Sequence, residues 1–469
     1  MNEPFFSIVI PTKNRPDRLT NTIRSVLAQR FTDFEIVACD NSDQAESVET
    51  AQAVQDLDDP RIRYVRTSGQ LSMPDNWERA VAEASGQFVG ILTDRSVFRR
   101  DALQVISTEI EQTGVKCVSW FNDLYGRDPS GKEYKRRAST RRRHRLHRDT
   151  VLDYFVHGDP KYAPKIIPKL MTCVCHRSIL DAVRSTFGRC CPPVAPDFTS
   201  GFLILAYCDS ITKIDEALYT SSGVGNGMDF RRRSGLADRF RQDLGMTWEQ
   251  MVDRMPSEAC FAHALVLNDL MRVRDMIPER FPGLEIDRVQ YYLGCLNDYA
   301  KTAKRGVRRT EDLDILIAAL EREPEEVQRQ VQDTRLYVGA LSIEPRAEPE
   351  EKAPAGTLMF DSVFDALAWD EANPREPIER SFLDILPSVA EMKRAPATDR
   401  IARRLAKKAA ATATEPPEEE RRETHAVAAP GAVAMMRLAR ASLRSRRVAN
   451  RLRSRIRLRT RLRTRIRRA

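Results

Sequence analysis

The chain has 469 residues, 42% of them hydrophobic, which leaves room for two or three domains with real cores. Its formal charge of +9 is unevenly held: residues 437–469 carry 15 of the 76 basic residues and no acid, so the remaining 61 face 67 acids, a net of −6. Such a block marks an interaction tail rather than a fold, and no run of 18 apolar residues occurs, so no transmembrane helix is expected.

The chain opens on an apolar run, Phe5–Ile10, closed by Pro11, which cannot donate to a sheet ladder. Thr12 and Asn14 follow, then Leu19, Ile23, Val26 and Leu27 at helical spacing. Further strand signals fall at Glu35–Cys39, Ile62–Val65, Phe88–Leu92 and Val115–Phe121. Helical patterns occupy about Asp17–Ala28, Ala45–Val54, Asp75–Ala84 and Asp101–Thr113. This alternation predicts parallel βαβ units in a doubly wound α/β sheet, whose ligands bind beyond the carboxyl ends of the strands.

Residues 125–148 break the pattern with a dense run of Lys and Arg and read as a basic, solvated surface loop. Apolar structure resumes at Ile166–Val174 and Phe202–Ala206, and Gly223, Gly225 and Gly227 give the composition of a mobile loop. Residues 228–343 read as a helical extension, with Phe261, Ala264 and Leu265, then Leu313, Leu316, Ala319 and Leu320, on apolar faces. Residues 344–392 read as a Pro- and Glu-rich linker followed by an amphipathic segment that docks back onto the body, and 393–469 as a low-complexity, Arg-rich tail.

The nine Cys are scattered, and Met1-Asn2-Glu3-Pro4 does not begin a secretory signal, so reduced cytoplasmic thiols are expected. Cys173, Cys175, His176, Cys190 and Cys191 cluster in sequence, but their spacing suits strand alternation better than zinc.

Three polar sets sit at strand or helix ends. Asp40-Asn41-Ser42 follows the second strand; the acid there can accept from a base or ribose, or simply cap the next helix. Asn76-Trp77 lies on a helix, where an exposed Asn is the simpler reading. Leu92-Thr93-Asp94-Arg95 ends the fourth strand, where a carboxylate faces the ligand crevice.

Taken in order, Pro11-Thr12-Lys13-Asn14-Arg15, Asp40-Asn41-Ser42, Asn76-Trp77 and Leu92-Thr93-Asp94 resemble the family 2 glycosyltransferases of GT-A fold, over about residues 5–225. The resemblance implies a GT-A domain over residues 1–227, a nucleotide-diphospho-sugar donor, UDP-sugar before GDP- or dTDP-sugar, and an inverting transfer to a glycan or lipid-linked acceptor. It places Pro11, Thr12 and Arg15 in the nucleotide pocket and Asp40, with Asn41 beside it, at the base. Asn76 falls near the ribose or diphosphate, Thr93 at the strand end, and Asp94 at the first acid of the metal motif. It also implies Mn²⁺ or Mg²⁺, but Arg95 stands where the usual second acid would be, and a guanidinium has donors only. Three readings stay open. Arg95 neutralises the diphosphate itself; or it pairs with Asp94 or Asp101 while metal binds through Asp94 and water; or catalysis is lost and the domain is a nucleotide- or partner-binding scaffold.

An inverting transfer needs a general base. By position Asp197 takes that role, with helix capping as the alternative. The tail, with Arg at every odd position from Arg451 to Arg467, suits an anionic membrane surface at the inner face. It has no aromatic residue to stack bases, so nucleic acid is disfavoured.

Overall fold

The computed structural model describes residues 3–126, 131–222, 236–303, 308, 310–344 and 358–386, all within a compact unit spanning Met1–Ala397. The Gly223–Gly227 loop and the arginine tail lie outside the described residues.

The first half alternates as its hydrophobic pattern requires: β1 (Phe6–Thr12), α1 (Pro16–Leu27), β2 (Phe34–Asp40), α2 (Gln44–Gln55), β3 (Ile62–Arg66), α3 (Met73–Ala82) and β4 (Phe88–Ile91). Strands β3, β2, β1 and β4 are neighbours in that order and all parallel. All seven residues of β1 are buried, the mark of a central parallel strand covered on both faces. Leu19, Ile23 and Val26 of α1 are each 0% exposed against this sheet. Burying such a side chain fully is worth about 1.5–3 kcal/mol.

Two features of the sheet differ from the sequence reading. Strand β1 does not stop at Pro11 but continues through it to Thr12, pairing Pro11 with Cys39. The β4 partner ends at Val9, so no strand on that side asks for the missing N–H. The fifth predicted strand, β6 (Cys117–Tyr125), is not a neighbour of β4 either. Between them lies β9 (Cys173–His176), antiparallel to both. Gly90 makes this possible: a Cβ there would lie 2.8 Å from the Cys173 carbonyl oxygen.

After β4 come β5 (Ser96–Phe98), α4 (Ala102–Thr113) and β6. The basic stretch is not a loop: it holds β7 (Glu133–Lys135), paired with β6, and the edge strand β8 (Arg143–His147). Helices α5 (Arg148–His157), α6 (Ala163–Ile166), α7 (Arg177–Phe187) and α8 (Pro196–Tyr207) lead to β10 (Ser210–Ser222). Strand β10 pairs with β5, β6 and β8 and escaped the sequence reading. Lys213, Asp215 and Glu216 interrupt its apolar pattern, yet all three are buried. Lys213 Nζ donates to Ser119 Oγ (2.9 Å) and to the Trp120 carbonyl (3.1 Å). Asp215 accepts from the Thr140 amide (3.0 Å) and hydroxyl (2.7 Å).

The helical region follows as α9 (Leu236–Asp243), α10 (Ala262–Met276), α11 (Arg288–Ala303), α12 (Thr310–Leu320), α13 (Glu325–Gln332) and α14 (Arg335–Leu341). Phe261, Leu265, Leu313 and Leu320, expected on apolar faces, are all buried. Residues 358–386 then return to the sheet. Strand β11 (Leu358–Met359) adds to β7, and α15 (Val363–Ala372) and a 3₁₀ turn at Phe382–Ile385 follow. Together they form a strap across the basic strands. It supplies anions to them: Lys132 pairs with Asp361 (2.5 Å), Arg136 with Asp370 (2.7 Å) and Arg142 with Asp384 (2.8 Å).

Candidate active site

The parallel strands deliver their following loops to one edge of the sheet, and the polar sequence sets meet there. Thr12 closes β1; its hydroxyl donates to Asp94 Oδ2 at 2.9 Å. Its carbonyl accepts from the Asn41 amide (3.0 Å) and from Asn76 Nδ2 (3.2 Å). Asn76 is therefore not the exposed helical residue that its position alone suggested. It is 5% exposed on α3 and fastens the end of β1, while its Oδ1 faces Cys39 Sγ at 3.5 Å.

Arg15 precedes α1 and reaches across to Asp94, with Nη1 3.2 Å from Oδ1. Asp94 itself is 4% exposed, and both of its oxygens are engaged. Thr93 Oγ1 lies 2.8 Å from Ser96 Oγ, and the Arg95 carbonyl accepts from the Ser222 amide (2.8 Å) and hydroxyl (2.6 Å) at the end of β10. The loop is thus pinned while its guanidinium stays half-buried. Burial pulls the Arg95 guanidinium below its ordinary value; Asp94 opposes the fall, and Arg15 and Arg18 add to it. Arg95 thus lies within electrostatic reach of the Arg15–Asp94 pair and of Arg18.

Asp40 is fully buried. Its Oδ1 accepts from the Ser42 amide at 2.8 Å, an Asx turn, and its Oδ2 from the Tyr64 hydroxyl at 2.7 Å. Burial and this bond push the Tyr64 hydroxyl above its ordinary value. Asn41 holds the next loop: its Nδ2 donates to the Leu71 carbonyl (2.8 Å), and its Oδ1 accepts from Thr67 Oγ1 (2.6 Å). Asn14, at φ 56, takes the left-handed conformation that Asn tolerates. Its amide donates to Ser42 Oγ (2.7 Å), and its Oδ1 accepts from the Asp43 amide (2.9 Å). The loops after β1, β2, β3 and β4 are therefore cross-linked into one rim. Pro11 is buried beneath it.

At Asp94 a divalent cation would find a single carboxylate. Such an ion wants several oxygen ligands. Asp94 already serves Thr12 and Arg15, its successor is a guanidinium, and among the described residues no three His, Cys, Asp or Glu side chains gather to hold a metal ion.

Asp197 lies in the first turn of α8, where the helix dipole favours an anion. Its Oδ2 is 3.7 Å from Lys169 Nζ, and its side chain is 27% exposed. The 167–172 segment joins the same sheet edge as Asp94, because the Ile91 amide at the end of β4 donates to the Leu170 carbonyl at 3.0 Å. Two neighbours of Asp197 went unnoticed in the sequence. Lys169 stacks its ammonium 3.8 Å from the centroid of the Phe198 ring, and burial pulls its pKa down against the pull of Asp197. Asp269, from α10, accepts from the Ala195 amide (3.0 Å) and the Thr199 hydroxyl (2.6 Å). Burial raises it to about 7. The local signal was an acid inside the apolar run Leu265–Leu270, which periodicity alone cannot connect to α8.

The nine Cys are all buried. Cys173 and Cys175 lie on β9, as strand alternation predicts, whereas Cys190 Sγ donates to the Leu180 carbonyl (3.5 Å).

A model of the family Glycosyl transferase family 2 matches residues 7–163. The match contains Thr12, Arg15, Asp40, Asn76 and Asp94, while Asp197 lies beyond it. The chain is 35% identical over 106 residues to the GalNAc(5)-diNAcBac-PP-undecaprenol beta-1,3-glucosyltransferase of Campylobacter jejuni, covering 22% of this chain and 33% of that protein. It is 26% identical over 122 residues to an Escherichia coli protein named as a colanic acid biosynthesis glycosyl transferase, WcaA, covering 26% of this chain and 43% of the relative. It thus spans less than half the length of either relative. Among solved structures, S. aureus TarS 1-349 in complex with UDP-GlcNAc is 13% identical, with 76% of this chain and 99% of that chain covered at a TM-score of 0.42. The match to Glycosyl transferase family 2 thus covers residues 7–163, the part of the chain that holds the polar sets gathered at the edge of the sheet.

Proposed function

We propose that the protein is an inverting glycosyltransferase that moves a sugar from a nucleotide-diphospho-sugar, a UDP-sugar before others, to a hydroxyl of a lipid-linked envelope glycan. The observation that carries this reading is the Arg15–Asp94 ion pair at the carboxyl edge of the sheet, with the half-buried Arg95 guanidinium within electrostatic reach of that pair and of Arg18. A diphosphate brings negative charge, and guanidinium groups bind phosphate oxygens as bidentate donors.

On this reading Pro11, Thr12, Asp40, Asn41 and Asn76 shape the nucleoside end of the pocket, and Thr93 holds the loop after β4. Arg95 takes the place of a divalent ion: it neutralises the charge that builds on the diphosphate as the sugar leaves. Asp197 accepts the proton of the acceptor hydroxyl while that oxygen bonds to the anomeric carbon and the carbon–diphosphate bond breaks. One displacement inverts the anomeric centre. The name of the C. jejuni relative, which carries a PP-undecaprenol acceptor, supports a lipid-linked acceptor here. Among the described residues no helix is long and apolar enough to cross a membrane. The arginines of 437–469 would hold the enzyme on an anionic membrane surface at the cytoplasmic side, each contributing about 1 kcal/mol near the lipid.

The test is product analysis by NMR, with a panel of α-linked UDP-, GDP- and dTDP-sugars and a lipid-diphosphate-linked glycan. The expected product is β-linked. An α-linked product contradicts inversion, and nucleotide binding without turnover favours the scaffold reading.

A further inference from the structure

Helix α8 and the 167–170 segment are pressed together more closely than side chains normally allow. A Cβ at Gly201 would lie 2.6 Å from Ile167 Cγ2 and 3.2 Å from the Pro168 carbonyl oxygen. The segment is fastened on three sides. The Leu170 carbonyl accepts from the Ile91 amide at 3.0 Å, and the Leu170 amide donates to Ser200 Oγ at 3.4 Å. The Lys169 carbonyl accepts from the Thr172 amide at 2.6 Å. Lys169 has little freedom, and its ammonium is held between the Asp197 carboxylate and the Phe198 ring. The start of α8 is fixed from the other side by Asp269, which binds both Ala195 and Thr199.

We propose that Lys169 is a positioning residue for Asp197: it aims the carboxylate, while Asp269 ties the helical extension to the start of the helix that carries it. The inference rests on Asp197 being the base. A base has to be aimed at the proton it receives, and effective positioning is worth orders of magnitude in rate. The extension is therefore part of the acceptor side of the site, although the family match ends at residue 163.

The experiment is a double-mutant cycle on the full chain with the Lys169→Met, Lys169→Arg, Asp197→Asn and Lys169→Met/Asp197→Asn variants. It reads kcat, nucleotide affinity and thermal midpoint. The expected result for Lys169→Met is a kcat loss of about tenfold or more with unchanged nucleotide affinity. Arginine recovers most of that loss, and the methionine change has no further effect once Asp197 is Asn. A Lys169→Met loss that persists undiminished in the Asp197→Asn background, or that tracks the fall in melting temperature, overturns the proposal. If Asp197→Asn alone retains full activity, the base assignment fails instead, and the two failures are told apart by that single variant.

Discussion

Asp197→Asn is expected to lower kcat by about 10²–10⁴-fold, the usual contribution of a positioned general base, and to leave nucleotide affinity unchanged. The separation follows from the fold. Asp197 sits at the start of α8, whereas the groups proposed for the diphosphate hang from β1, α1 and the loop after β4. The amide is nearly isosteric; it loses the charge that the helix dipole favours, worth about 0.3–1 kcal/mol, and the ion pair with Lys169, while the Phe198 ring stays over the ammonium. The variant should therefore remain folded. Steady-state kinetics with isothermal titration of nucleotide checks both halves of the expectation. A variant within about tenfold of the wild-type rate removes Asp197 from the chemistry.

The largest expected effect on stability comes from Arg375. Its guanidinium is 13% exposed and enters a pocket lined by Asp123 and Asp370. Nη1 donates to Asp123 Oδ1 at 2.9 Å and to the Arg137 carbonyl at 3.1 Å, and Nη2 donates to Asp370 Oδ2 at 2.7 Å. Asp123 is 1% exposed at the end of β6, so removing its partner strands a buried charge. Breaking such a pair costs about 3–5 kcal/mol. Arg375→Met is expected to lose that much on chemical denaturation and to make residues 358–386 the first site of proteolytic cutting. Adding Asp123→Asn should recover part of the loss, because the uncompensated charge is then gone. An Arg375→Met protein with unchanged stability and an intact strap would show that the apolar contacts of Phe360 and Trp369 hold the strap alone.

What the sequence made legible follows physical lines. Phe6–Thr12 and the Leu19, Ile23 and Val26 stripe could be read because their burial depends on a single local period. The polar sets around Thr12, Asp40, Asn76 and Asp94 could be read as a group because their order resembles that of the family 2 glycosyltransferases, and the parallel sheet brings their loops to one edge. Strand β10 could not, because Lys213, Asp215 and Glu216 look like surface residues until Ser119, Thr140 and Arg99 are brought to them. The basic stretch 125–148 failed for the same reason: the strap that covers it is more than 200 residues away in the chain. Lys169 and Asp269 are meaningful only beside Asp197, and only tertiary packing places them there.

The most direct test of the donor site is calorimetric titration of the full chain, wild type and Arg95→Met, with UDP, GDP and dTDP, each in EDTA and in Mn²⁺. One nucleotide, UDP first, should bind the wild type equally in both conditions, and Arg95→Met should weaken that binding about 10–100-fold, the worth of a charge-assisted hydrogen bond. Binding that appears only with Mn²⁺, or an Arg95→Met protein that binds as well as wild type, would contradict an arginine-held diphosphate.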